Sequence, residues 1–127
     1  MARVGKIVTP RRAIYHVGSE LEAVFALQLM TAGVKFVQEY QAIPTRRYRW
    51  DFAIEPIEDT RLLVELNGGT HRRMGHSTGT GIQRDYAKAN AAVCHGFRQL
   101  TFTAQDVHAL TALDTVCKVL LGLEATK

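Results

Sequence analysis

Apolar and polar positions along this chain fall into blocks with two different periods. Residues 19–33, "SELEAVFALQLMTAG", are rich in helix formers, with Ser19 placed to cap the start and Gly33 to end it. Residues 35–43, "KFVQEYQAI", alternate apolar and polar, which predicts a strand. After the turn "PTRRY", residues 48–56, "YRWDFAIEP", predict a second strand stopped by Pro56. A turn at "EDT" leads to a third strand over 61–67, "RLLVELN", and strands this close in sequence predict an antiparallel meander. Residues 68–81, "GGTHRRMGHSTGTG", read as a polar, glycine-rich loop of the length that carries function. A second helix over 82–96, a fourth strand over 97–102 and a closing helix from Thr103 to about residue 123 complete the order.

Two of these strands carry an acid where an apolar side chain would pack better. Asp51 stands between Trp50 and Phe52, and Glu65 between Val64 and Leu66. Ionised carboxylates are costly to bury unless paired or bound to a cation. An antiparallel pairing around the short turn would set Asp51 beside Glu65, and two adjacent anions repel. A hard divalent cation removes that cost, and oxygen ligands suit magnesium or manganese. Glu20 and Glu22 lie in the first turn of the first helix. Glu22 shares a helical face with Phe25, Ala26 and Leu29, so it is favoured over Glu20 to point inward. Trp50 and Phe52 flank Asp51, where an aromatic ring serves either the core or stacking on bases.

Composition narrows the classes. The chain has 127 residues, the size of one domain, and 46% hydrophobic residues, enough for a core. No apolar run is long enough to span a bilayer and the start has no signal-peptide pattern, so a cytoplasmic, reducing setting is expected. Cys94 and Cys117 match no zinc or redox spacing and read as two buried thiols. The net charge of +4 is mild, but it is clustered. Residues 1–18 form a basic arm with Arg3, Lys6, Arg11 and Arg12; Arg46, Arg47 and Arg49 flank a turn; Arg72 and Arg73 follow the third strand. Clusters of this kind can neutralise phosphates, or can be no more than solvated loops.

A helix acid, a strand acid and an acid–x–polar strand, in the order helix, three strands, helix, strand, resemble the PD-(D/E)XK nuclease superfamily. The likeness is nearest to small phage and bacterial endonuclease-domain proteins related to very-short-patch repair endonucleases. It is carried by "SELEAVFALQLMTAGVKFVQEY", "RRYRWDFA", "LLVELNGGTH", "GHSTGTGIQRDYAKANAA" and "GFRQLTFT", about residues 19–107. It implies a restriction-endonuclease-like αβββαβ core, a mixed four-stranded sheet flanked by helices, with a C-terminal helix. Residues 19–127 would form one nuclease domain behind the arm.

The implied activity is a magnesium-dependent endonuclease hydrolysing phosphodiester bonds in DNA, with manganese able to substitute. Glu22, Asp51 and Glu65 would be metal ligands, with the Leu66 carbonyl as a further one. A branched-DNA (Holliday-junction) resolvase with the same site, or a DNA-binding domain that has lost catalysis, are the alternatives. A homodimer is the simplest route to cutting two strands. The superfamily pattern usually ends in lysine, and here the position is Asn67. Asn67 can donate to a phosphate oxygen but supplies no charge. His71 and His76 in the glycine-rich loop could contact phosphate or relay a proton. The second helix would face the site with Gln83, Asp85 and Lys88. Lys88 shares a face with the small Ala92, so it is the expected source of the charge that Asn67 lacks.

Overall fold

The computed structural model describes residues 19–67 and 79–126. The elements are α1 (Ser19–Thr31), β1 (Phe36–Tyr40), β2 (Trp50–Ile54), α2 (Ile57–Thr60), β3 (Leu62–Leu66), α3 (Gly79–Cys94), β4 (Arg98–Phe102), α4 (Ala104–His108) and α5 (Thr111–Thr126). The sheet order is β1-β2-β3-β4. The first three strands form the expected antiparallel meander, and β4 runs parallel to β3 after the α3 crossover. This is the restriction-endonuclease-like core, an α/β fold with a mixed four-stranded sheet, flanking helices and a C-terminal helix. The basic arm and the loop bearing His71, Arg72, Arg73 and His76 lie outside the described residues.

Two apolar clusters cover the two faces of the sheet. On one face Phe36, Phe52, Ile54, Leu62, Val64 and Phe102 pack against Phe25 and Leu29 of α1, Val107 of α4, and Ala112 and Val116 of α5. On the other, Ala53, Leu63 and Trp50 pack against Ala92 of α3 and Phe97. The central strands are therefore buried on both sides, which is why their sequences read as near-continuous apolar runs rather than strict alternation. The Phe25 ring meets Phe52 edge-on, with centroids 5.2 Å apart, and Phe52 meets Phe36 at 5.4 Å. Edge-to-face pairs of this kind add to simple burial.

The closing helix expected from the sequence is two helices. Thr103 caps α4 in a capping box with Asp106, and the chain then turns through Leu110, whose φ is 67°. On one straight helix Val107 and Ala112 would point about 140° apart. The break lets both face the same core, where each is fully buried. Gln28 Nε2 donates to the Val107 carbonyl across 3.1 Å, tying α1 to α4. The expected turn at "EDT" is a helical turn, α2, ending in Arg61 at φ 48°. Its buried Thr60 hydroxyl donates to the Ile54 carbonyl at 2.6 Å. Rather than both being buried, Cys94 is exposed, because α3 turns its Ala92 side to the sheet, and Cys117 is half-buried; both cysteines are free.

The α3 helix is anchored at its C-terminal end. Arg61 donates from Nη2 to the His95 carbonyl at 2.6 Å and from Nε to the Gly96 carbonyl at 3.2 Å. Its guanidinium also stacks 3.9 Å from the centroid of Phe97. These contacts satisfy carbonyls left over at the helix end and fix the distance between α3 and the start of β3.

The Phe25–Phe52 contact joins the helix carrying Glu22 to the strand carrying Asp51. Phe25→Ala is expected to lower unfolding stability by about 3–5 kcal/mol. Denaturant titration checks this; an unchanged midpoint would show that α1 is held to the sheet by other contacts.

Candidate metal centre

Strand register aligns three acids in a row. Gln38 pairs with Phe52 and Tyr40 with Trp50, which sets Glu39 opposite Asp51. Phe52 pairs with Val64, so the next step sets Asp51 opposite Glu65. Glu65 in turn pairs with Thr101 of β4. A fourth acid, Glu22, enters from the first turn of α1. It lies one helical turn before the buried Phe25 and is itself half-buried, whereas Glu20 is exposed.

One carboxylate oxygen from each of Glu22, Glu39 and Asp51 lies within 4.8 Å of the others. Asp51 sits at the centre. Its Oδ2 accepts from the Leu66 backbone N–H at 2.7 Å, so the third strand orients it directly. Glu65 lies beside this trio and is held by Lys88, whose Nζ donates to Glu65 Oε2. Lys88 also donates to the Arg49 carbonyl at 2.6 Å. The Lys88 and Glu65 side chains are only 19% and 17% exposed.

The electrostatics follow from this crowding. Burial pushes the Glu22 carboxyl up from 4.5 to about 8, helped by the Asp51 and Glu39 charges and by a hydrogen bond with Asp51. Burial also raises Glu65, to about 7; the Asp51 charge adds to the rise and Lys88 opposes it. Half-buried carboxylates in close contact resist ionising together, and a proton or a cation must offset them. Lys88 pairs with Glu65, while Glu22, Glu39 and Asp51 crowd one another beside it. The donor set, several carboxylate oxygens from separate rigid elements, is the chemistry that hard divalent cations take. The residues present therefore fit a magnesium- or manganese-type ion.

Glu39 escaped the sequence reading. It occupies an ordinary polar position in an alternating strand, and only the β1–β2 register reveals its place opposite Asp51. Its φ of 52° lies in the left-handed region, unusual for a non-glycine residue. Backbone strain of this kind costs on the order of 1–3 kcal/mol and tends to gather at functional sites.

The remaining candidate residues take several different positions. Asn67 is exposed, and its backbone N–H extends the ladder by donating to the Phe102 carbonyl at 2.6 Å. Gln83 and Asp85 are exposed on α3. Arg46, Arg47 and Arg49 are exposed on the segment joining β1 to β2, next to the strand ends that carry Glu39 and Asp51. Arg46 Nη2 donates to the Tyr48 hydroxyl at 2.9 Å and its guanidinium lies 4.7 Å from the Tyr48 ring centroid. Trp50 and Phe52 are fully buried, so neither ring is available to stack on a base. No described helix is long and apolar enough to cross a membrane.

No family model, curated protein or solved structure matches this chain. The geometry of the site is therefore the guide to its chemistry.

The raised carboxyls make a signed prediction. Glu22 and Glu65 bind protons more tightly in the folded chain than in the unfolded one, where both lie near 4.5. Between that value and about 8 the folded state holds more protons, so in EDTA stability should fall as pH rises. Thermal unfolding across this window measures it. Glu22→Gln should flatten the decline, and magnesium should raise the midpoint most at the alkaline end. A wild-type profile equally flat with and without the variant would contradict the assignment.

Proposed function

We propose that the chain is a divalent-metal-dependent endonuclease of the PD-(D/E)XK kind, acting on DNA. The observation that carries the reading is the convergence of Glu22, Glu39 and Asp51, from a helix and two strands, on one cation-sized space. Glu22, Glu39 and Asp51 would hold the ion, with Glu65 and the Leu66 carbonyl as further ligands. A bound divalent ion supplies an activated water and offsets the charge that grows on the scissile phosphate.

The chain's own residues do the rest. Asp51 is aimed by the Leu66 N–H. Lys88 brings a fixed positive charge to the same corner from α3, the charge that Asn67 cannot supply. A cation held in a half-dry cleft is worth far more to a phosphoryl transition state than the same cation in water. This favours an active enzyme over a domain that has lost catalysis.

Charge around the molecule supports one direction of approach. Arg46, Arg47 and Arg49 border the acidic corner. At the other end of the strands a cavity of about 660 Å³ is rimmed by Glu55, Glu58, Asp59 and Glu124 against Lys35. A polyanion is repelled there and drawn to the arginine end. Arg72, Arg73, His71 and Gln83 would add contacts from the segment before α3 and from α3 itself.

Purified protein should be incubated with supercoiled, linear, single-stranded and four-way-junction DNA, in magnesium, manganese or EDTA. Metal-dependent cleavage is expected, and cleavage of the junction alone would select a resolvase. Binding without cleavage on every substrate would overturn the enzyme reading. Lys88→Met should preserve binding but slow cleavage at least tenfold, about 1.4 kcal/mol in the barrier. Asn67→Lys in that background should restore part of the rate. DNA affinity should fall steeply with salt. Removing one phosphate-neutralising side chain, in Arg46→Ala or Arg47→Ala, should reduce the log–log slope by about 0.9.

A further inference from the structure

Trp50 has no exposed surface, yet its ring lies beside a charge: the Lys88 Nζ sits 5.1 Å from the ring centroid. The rest of the indole is accounted for as well. Its Nε1 donates to Gln99 Oε1 at 2.8 Å. Gln99 Nε2 donates to the Thr101 hydroxyl at 3.1 Å, which turns the amide carbonyl toward the indole. Thr101 is the β4 partner of Glu65, and Glu65 accepts from Lys88. The contacts thus run from Lys88 through Trp50, Gln99 and Thr101 back to the strand position of Glu65.

Burial alone does not call for this arrangement. A leucine or phenylalanine would fill apolar space at position 50. What tryptophan adds is a strong π face for a cation and an N–H that fixes the ring plane. Lysine is where those additions matter, because its long, flexible stem loses much rotamer freedom when its head is fixed. Two of the three N–H donors of the ammonium go to Glu65 and to the Arg49 carbonyl. The indole face fixes the approach of the head group.

We propose that Trp50 is the positioning residue for Lys88, with Gln99 holding the indole in the plane that keeps the ammonium at the acidic corner. Its consequence for cleavage rests on the nuclease reading; the placement of Lys88 does not.

The test separates the two. Side-chain NMR of ¹⁵N-labelled lysine, assigned with Lys88→Met, reads the Lys88 Nζ signal and the upfield ring-current shift of its Cε protons. Trp50→Leu removes the ring current itself, so in that variant it is the Lys88 Nζ signal, set by Glu65 and the Arg49 carbonyl, that should move. Trp50→Phe should retain part of the ring-current shift, and Gln99→Leu should alter that shift with the tryptophan still present. Backbone amide spectra establish that each variant is folded; if Trp50→Leu is not, Trp50→Phe and Gln99→Leu decide. In the cleavage assay Trp50→Leu should lower kcat about tenfold with KM changed less than about twofold, and Trp50→Phe should recover part of the loss. Folded variants with an unmoved Lys88 signal would overturn the proposal, whatever their activity. An altered Lys88 signal in a protein that cuts no DNA would sustain the positioning role and defeat the nuclease reading alone.

Discussion

Four carboxylates share one corner of the sheet with Lys88, and their mutual repulsion is the constraint to which the neighbouring structure responds. Glu22, Glu39 and Asp51 approach within 4.8 Å. Two of the acids, Glu22 and Glu65, are pushed up to about 8 and about 7. Left ionised and bare, such a group would drive its elements apart. The fold resists by tying three of the four to well-packed elements, while Glu39 stays exposed at the edge strand. Phe25 locks the helix of Glu22 to the strand of Asp51, the Leu66 N–H orients Asp51, and Lys88 takes one oxygen of Glu65. Stability is spent at the corner and recovered in the two apolar clusters on either side of the sheet, a pattern expected where a site is built to receive a cation.

The layers explain how the corner is assembled. The α1 helix covers one face of the sheet and α3 the other, so Glu22 and Lys88 reach the strand ends from opposite sides. Ala92, fully buried between α3 and the sheet, lets the helix come close, and Arg61 clamps its far end to the start of β3. Lys88 is thus carried to the third strand by a rigid element. On the proposed nuclease reading, this is the cation that would stand in for the lysine that Asn67 replaces.

Much of this was legible in the sequence. The order of elements follows from hydrophobic period and from glycine and proline punctuation. Asp51 and Glu65 stood out because each interrupts an apolar strand, and Glu22 because it shares a helical face with Phe25 and Leu29. Glu39 did not stand out, because a polar residue in an alternating strand carries no signal until register places it opposite Asp51. The break at Leu110 was hidden too, since both halves of the closing segment are good helix formers. Only the need to bury Val107 and Ala112 together divides them.

The most direct measurement is calorimetry of manganese binding at about pH 7.5 in buffers of differing ionisation enthalpy. If the cation replaces protons held on crowded carboxyls, the observed heat must vary with the buffer, because binding releases protons. The account predicts saturable binding with measurable proton release, lost in Asp51→Asn. Absence of binding, or saturable binding with heat independent of the buffer, would contradict it.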